Sequence, residues 1–176
     1  MARRVALLTA VLALVLVSAG SAKLSTPQRF FRGKLLRDHS VSRDVKTRLR
    51  KGGFVDRKIL FADLTGEGKS DAVVLVHSGG SAGRIAVFVF SSGHGSKLKI
   101  IYRNQRLYRA SARVPHAGSR VGTFFYRVPK FDPGDELCCP SAYLETELRW
   151  SASKKRFVVA GRRKIERKPV ARTPAR

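Results

Sequence analysis

The chain has 176 residues, 36 of them Lys or Arg against 12 Asp or Glu, for a formal net charge of +24. A length of this order bounds the molecule to one domain with a real hydrophobic core, and two cysteines exclude a disulfide-rich scaffold. Charge of this size and sign either points to polyanions as partners, such as nucleic acid, an acidic cell-wall polymer or anionic lipid headgroups, or reflects a generally basic solvated surface.

Arg3 and Arg4 precede an apolar run over residues 5–17, and small residues follow from Ser18 to Ala22. This is the order of a secretory signal peptide, so residues 1–22 are expected to be removed after Ala22. The apolar run is shorter than the ~20 residues of a spanning helix, and no nearby cysteine offers a lipid attachment point. The expectation is an exported protein whose mature chain has no transmembrane segment. Residues 23–165 would form a single α+β domain, and residues 166–176 a basic, disordered tail with too little apolar surface to fold.

Ser25-Thr26-Pro27 supplies a cap and a first-turn proline. Phe30, Phe31 and Leu35 then recur at helical spacing, so a short amphipathic helix is expected within residues 23–42. A second helix is expected over 42–50, with Val45 and Leu49 one turn apart and Gly52-Gly53 as the stop. From Phe54 onward the period changes to two. Strands are expected over 58–63, 71–77, 84–90, 97–103, 106–114, 119–129, 141–150 and 156–165. The fold class is therefore α+β: a mainly antiparallel sheet of about seven strands with one or two short N-terminal helices. Residues 72–76 are apolar at every position, the pattern of a central strand covered on both faces. Gly79-Gly80 matches neither the P-loop nor the dinucleotide fingerprint and reads as a hairpin turn.

Between the first two predicted strands lies an acidic, glycine-rich turn. Asp63, Thr65, Glu67 and Asp71 place oxygens at its first, third, fifth and ninth positions, with Gly68 at the sixth. Hard cations take several oxygens at once, and a glycine at the bend lets them converge. Asp63, Thr65, Glu67, Lys69 and Asp71 are therefore the candidate metal set, and calcium the candidate cofactor. The spacing resembles the calcium loops of integrin-type FG-GAP repeats, departing from them at Thr65 and Glu67. No second copy of the loop is present, which excludes a propeller. The same residues also suit a tight structural hairpin, because Asp and Gly are what turns use.

No acidic residue occurs between Ala72 and Phe131, whereas ten Lys or Arg do. If 97–103 and 106–114 pair across Asn104-Gln105, Leu98, Ile100 and Tyr102 point inward. Lys97, Lys99 and Arg103 then share the outer face with Arg109 and Arg113, as a basic ribbon suited to anions. Interleaved exposed aromatics, which would suggest base stacking, are missing from it.

Cys138 and Cys139 can pair within the chain only with each other. Their Cα atoms lie ~3.8 Å apart across a trans peptide, below the ~4.4–6.8 Å of ordinary disulfides, so such a bond is comparatively easy to reduce. The pair reads as a rigid turn before Pro140, a redox-sensitive element, or thiols open to a partner or a soft metal. His39, His77, His94 and His116 show no metal-ligand spacing around it.

Several stretches together resemble a known group: residues 63–68 with the Val-rich strand after them, Asp132-Pro133, Cys138-Cys139-Pro140-Ser141, Leu148-Arg149-Trp150 and Arg156-Phe157-Val158-Val159. They are similar, over residues 59–159, to small exported actinobacterial proteins of the LppP/LprE lipoprotein kind, without the lipid-attachment cysteine and with residues 134–137 inserted. The resemblance implies an envelope or extracellular protein with no established catalytic role.

No G-x-S-x-G nucleophile elbow is present. Glu145 and Glu147 would share one solvent face of a strand, too close together to straddle a glycosidic bond, and read as surface charge. The sequence thus names no reaction. It suggests a non-catalytic binding or structural domain of the cell envelope, holding an anionic polymer on Lys97, Lys99, Arg103, Arg109 and Arg113. The alternatives are a calcium-stabilised extracellular interaction module and a thiol-responsive envelope protein using Cys138 and Cys139.

Overall fold

The structure, a computed structural model, describes residues 24–93, 97–115 and 122–167. The expected signal peptide, and residues 168–176 of the expected tail, lie outside the described residues. Helices α1 (Thr26–Arg37) and α2 (Arg43–Arg50) come first. Nine strands follow among the described residues: β1 (Phe54–Val55), β2 (Leu60–Ala62), β3 (Asp71–His77), β4 (Arg84–Ser91), β5 (Lys99–Asn104), β6 (Ser111–Arg113), β7 (Thr123–Lys130), β8 (Ala142–Ser151) and β9 (Arg156–Glu166). The fold is α+β and every strand pair is antiparallel. The strands divide into two sheets instead of the one expected: β1-β3-β4-β5, with β2 also on β3, and β6-β7-β8-β9.

Both helices start at the serines that the pattern marks. The Ser25 hydroxyl accepts from the Gln28 amide, and Gln28 Oε1 accepts from the Ser25 amide at 2.8 Å, a reciprocal cap that satisfies two otherwise orphaned donors. Ser42 caps α2. Gln28 is itself buried, and its Nε2 donates to Val55 O at 2.6 Å, tying α1 to β1. Phe31, Leu35, Val45 and Leu49 form the buried stripe of the two helices, whereas Phe30 stays half exposed.

Strands β3 and β4 decide the layering. Ala72, Val74 and Val76, paired with Phe90, Phe88 and Ala86, face the helices. Val73 and Leu75, paired with Val89 and Val87, face Phe124, Tyr126, Leu148 and Phe157 of the second sheet. The first sheet is thus the middle of three layers, helices on one side and a sheet on the other, and its apolar run is buried on both faces as expected. Among the described residues no helix is long and apolar enough to cross a membrane.

The expected hairpin between 97–103 and 106–114 does not form. Asn104-Gln105 is not a turn, because Gln105 is pinned to the helices: its Oε1 accepts from the Ser42 amide at 2.6 Å and its Nε2 donates to Ser40 O at 3.1 Å. The chain then runs past the start of β4, with amides of Leu107, Arg109 and Ala110 donating to carbonyls of Ile85, Ala82 and Arg84. Only Ser111–Arg113 joins a sheet, and it is the second one, beside β7. At the other end β9 extends through Glu166, and the Arg167 amide donates to Ser141 O at 2.9 Å, so ordered structure reaches slightly into the expected tail.

Gly79, in the β3–β4 turn, has φ +84° and sits where a Cβ would lie 2.6 Å from Gly52 O. Gly79→Ala should therefore lower stability by at least about 1–3 kcal/mol from the left-handed backbone alone, with the clash added. Gly134→Ala, at φ +94° in open space, should cost only about 1–2 kcal/mol. Urea unfolding of the two variants checks the order; equal losses would mean that the turn yields freely.

Candidate anion-binding face

The second sheet has an outer face turned away from the core, and the register places charges on it in rows. Arg127 of β7 lies opposite Glu145 of β8, which lies opposite Arg163 of β9. Arg113 of β6 reaches in from the next row, its guanidinium 3.8 Å over the Phe125 ring. Glu145 is 1% exposed, so sequence and structure disagree about it: it is a buried carboxylate, not surface charge. Arg113 Nε and Nη2 donate to its two oxygens at 3.1 Å each, Arg163 Nε and Nη2 donate to Oε1 at 2.9 and 2.7 Å, and Arg127 Nε donates to Oε2. Burial by itself would raise the Glu145 pKa. Hydrogen bonds from Arg113, Arg127 and Arg163 outweigh it and hold the carboxyl down at about 2.

Three guanidiniums on one carboxylate leave the cluster cationic. Their outer surfaces stay in water, with side-chain exposures of 40% for Arg113, 36% for Arg127 and 64% for Arg163. Arg149, which donates to Glu147 at 3.2 Å, and the exposed Arg156 at the head of β9 extend the same patch. A shallow cleft of about 120 Å³ opens beside Phe125, Glu145 and Arg163.

The five cations proposed for a ribbon are not brought together. A bulge leaves Ile101 without a partner between Val89↔Tyr102 and Phe90↔Ile100, which turns the remainder of β5 over. Arg103 therefore lies with Phe88 on the helix side, while Lys99 lies with Ser91 on the opposite face. Lys97 precedes the strand. Arg109, at φ +45°, spends its guanidinium on Ser81 O and Leu137 O. Of the five, only Arg113 belongs to the basic cluster, which Arg127 and Arg163 complete.

The acidic turn is held by its own hydrogen bonds. Asp63 accepts from the amides of Gly66, Glu67 and Gly68 at 2.8, 3.1 and 2.8 Å, and buried Asp71 accepts from the Leu64 amide at 2.8 Å and the Thr65 hydroxyl at 3.2 Å. Lys69 Nζ donates outward to Gly93 O. The carboxylates of Asp63, Glu67 and Asp71 do not gather to within 4.8 Å of one another. Among the described residues the group of three His, Cys, Asp or Glu ligand atoms that does so is Glu136, Cys138 and Cys139, with the two cysteines joined in a disulfide. The turn is thus tied together by its own backbone amides and the Thr65 hydroxyl.

A cavity of about 360 Å³ at the helix end of the first sheet includes Asp56, His77 and Arg84 in its lining. Asp56 accepts from Arg84 Nε and from the Lys58 amide, and His77 Nδ1 accepts from the Gly79 amide while its ring stacks on Phe54. Among the described residues its lining includes no Ser, Thr or Cys. No protein-family model, curated protein or solved structure matches the chain.

Because the Glu145 carboxyl is held near 2 against an ordinary 4.5, its contribution is present above about pH 4.5 and is lost as pH falls through 2. The size is on the order of 3 kcal/mol. Glu145→Gln should flatten the acid limb of the stability–pH curve and destabilise the protein at pH 7, as measured by urea unfolding; an unchanged acid limb would disprove the clamp. Asp63→Ala should cost about 1–3 kcal/mol even in the presence of a chelator, because three backbone amides lose their acceptor. Equal urea midpoints for the chelated variant and parent would show that the turn does not need it.

Proposed function

We propose that the protein is an exported, non-catalytic binding module of the cell envelope that holds anionic polymers on the outer face of its second sheet. The observation that carries this reading is the gathering of Arg113, Arg127 and Arg163 around the buried carboxylate of Glu145. A buried anion orients three guanidiniums, lowering the entropy each would lose on meeting a ligand, while leaving a surplus of positive charge. Guanidinium forks match phosphate, sulfate and carboxylate groups bidentately, which suits a repeating acidic chain better than a point charge does. The order of basic, apolar and small residues at the N-terminus, and the resemblance to LppP/LprE-type proteins, support export. Anion binding does not use the predicted β5 cations or Arg109.

Retention on duplex DNA, as a generic polyanion, and on an acidic polysaccharide should fall linearly in log–log form with salt. On DNA, removing two contacts by Arg149→Gln with Arg156→Gln should reduce the slope by about 2. Lys99→Gln with Arg103→Gln, on β5, should leave it unchanged. Retention insensitive to salt, or weakened alike by both pairs, would replace a defined face with diffuse basicity.

A further inference from the structure

The 131–141 segment between β7 and β8 carries Asp132, Asp135 and Glu136, an acidic island in a chain of formal charge +24. Its shape rests on bonds that do not involve sulfur. Asp135 Oδ2 accepts from the amides of Asp132 and Ser141 at 2.8 and 2.7 Å, and Oδ1 accepts from the Ser141 hydroxyl. The Cys139 amide donates to Glu136 O at 2.8 Å, and Arg109 Nη1 donates to Leu137 O, tying the segment to the β3–β4 turn through Ser81. Opening the Cys138–Cys139 bond therefore leaves the frame around the sulfurs standing.

Within that frame Glu136 Oε2 lies 3.4 Å from Cys138 Sγ. A disulfide sulfur carries no proton, so this approach gains a partner only when the bond is reduced, through an S–H donor or through a cation shared between thiolate and carboxylate. The ligand atoms of Glu136, Cys138 and Cys139 lie within 4.8 Å of one another, and all three residues are exposed.

We propose that reduction converts this segment into a binding site for a thiophilic divalent cation of the zinc and cadmium class, with Cys138 and Cys139 as thiolate ligands and Glu136 as the oxygen ligand. A dithiol reductant supplies the two electrons: one of its thiolates attacks a sulfur of the pair, the S–S bond breaks, and the second thiol resolves the mixed disulfide. The products are the cyclic disulfide of the reductant and two protein thiols. The cation then displaces the two thiol protons. Three protein ligands leave a fourth position of a tetrahedral ion for water or a further ligand. This site is independent of the arginine face of the second sheet.

The test reduces the protein anaerobically with a dithiol, removes the reductant, and titrates Cd²⁺ and, separately, Zn²⁺. One ion per chain, a thiolate-to-cadmium ultraviolet band and release of two protons per ion are expected, and none of these in the oxidised protein. Glu136→Gln should weaken binding about tenfold or more without altering the near-ultraviolet circular dichroism. Equal binding by oxidised protein, or by the Cys138→Ser, Cys139→Ser double variant, would overturn the proposal, as would the absence of the band. Unchanged affinity in Glu136→Gln would reduce the three-ligand site to a bare dithiol and overturn it equally. Polyanion retention should be the same in oxidised, reduced and metal-loaded protein, which separates this outcome from that of the arginine face.

Discussion

Strands β3 and β4 have no polar side to give to water. Their residues alternate between two buried faces, and each face needs a cover: Phe31, Leu35, Val45 and Leu49 of the helices supply one, Phe124, Leu148 and Phe157 of the second sheet the other. Burying one such apolar side chain is worth about 1.5–3 kcal/mol, so exposing either face would cost more than a domain's whole net stability. The helices and the second sheet are held in place by this one requirement. The second sheet is consequently half-buried, and its free face is where charge can be displayed.

Charge is arranged by the same layering. The acid-free stretch from Ala72 to Phe131 is not left to repel itself, since folding brings carboxylates to it from elsewhere in the chain. Asp56 meets Arg84, and Glu145 meets Arg113 and Arg127 from that stretch together with Arg163 from the next strand. A carboxylate with so many donors tolerates burial that a lone one would not.

Much of the fold is legible in the sequence because the signals are local. Ser25 and Ser42 mark both helix starts, and the unbroken apolar run at 72–76 announces a doubly covered strand. The charged site is not legible, because bulges decide it. Counting back from the β8–β9 turn without a shift pairs Glu145 with Arg162; the register change at Glu147/Leu148 replaces that partner with Arg163 and puts both on the outer face. Likewise the unpartnered Ile101 separates Arg103 from Lys99. A one-residue slip exchanges faces, and no periodic pattern reports it. The hairpin expected at Asn104-Gln105 failed for a different reason: the Gln105 side chain found its partners on the helix connection, more than sixty residues away in sequence. In the acidic turn both readings use the same residues, since a carboxylate spaced for a cation is equally spaced for the backbone amides that Asp63 meets.

The adjacency of Cys138 and Cys139 bears on how the molecule is made. A covalent link between neighbours closes the shortest ring two cysteines can form, and chain-entropy stabilisation by a disulfide diminishes as the enclosed loop shortens. The bond therefore does little to restrain the unfolded chain. Noncovalent layers carry the architecture, so the polypeptide can reach its final shape before any oxidant has acted on it.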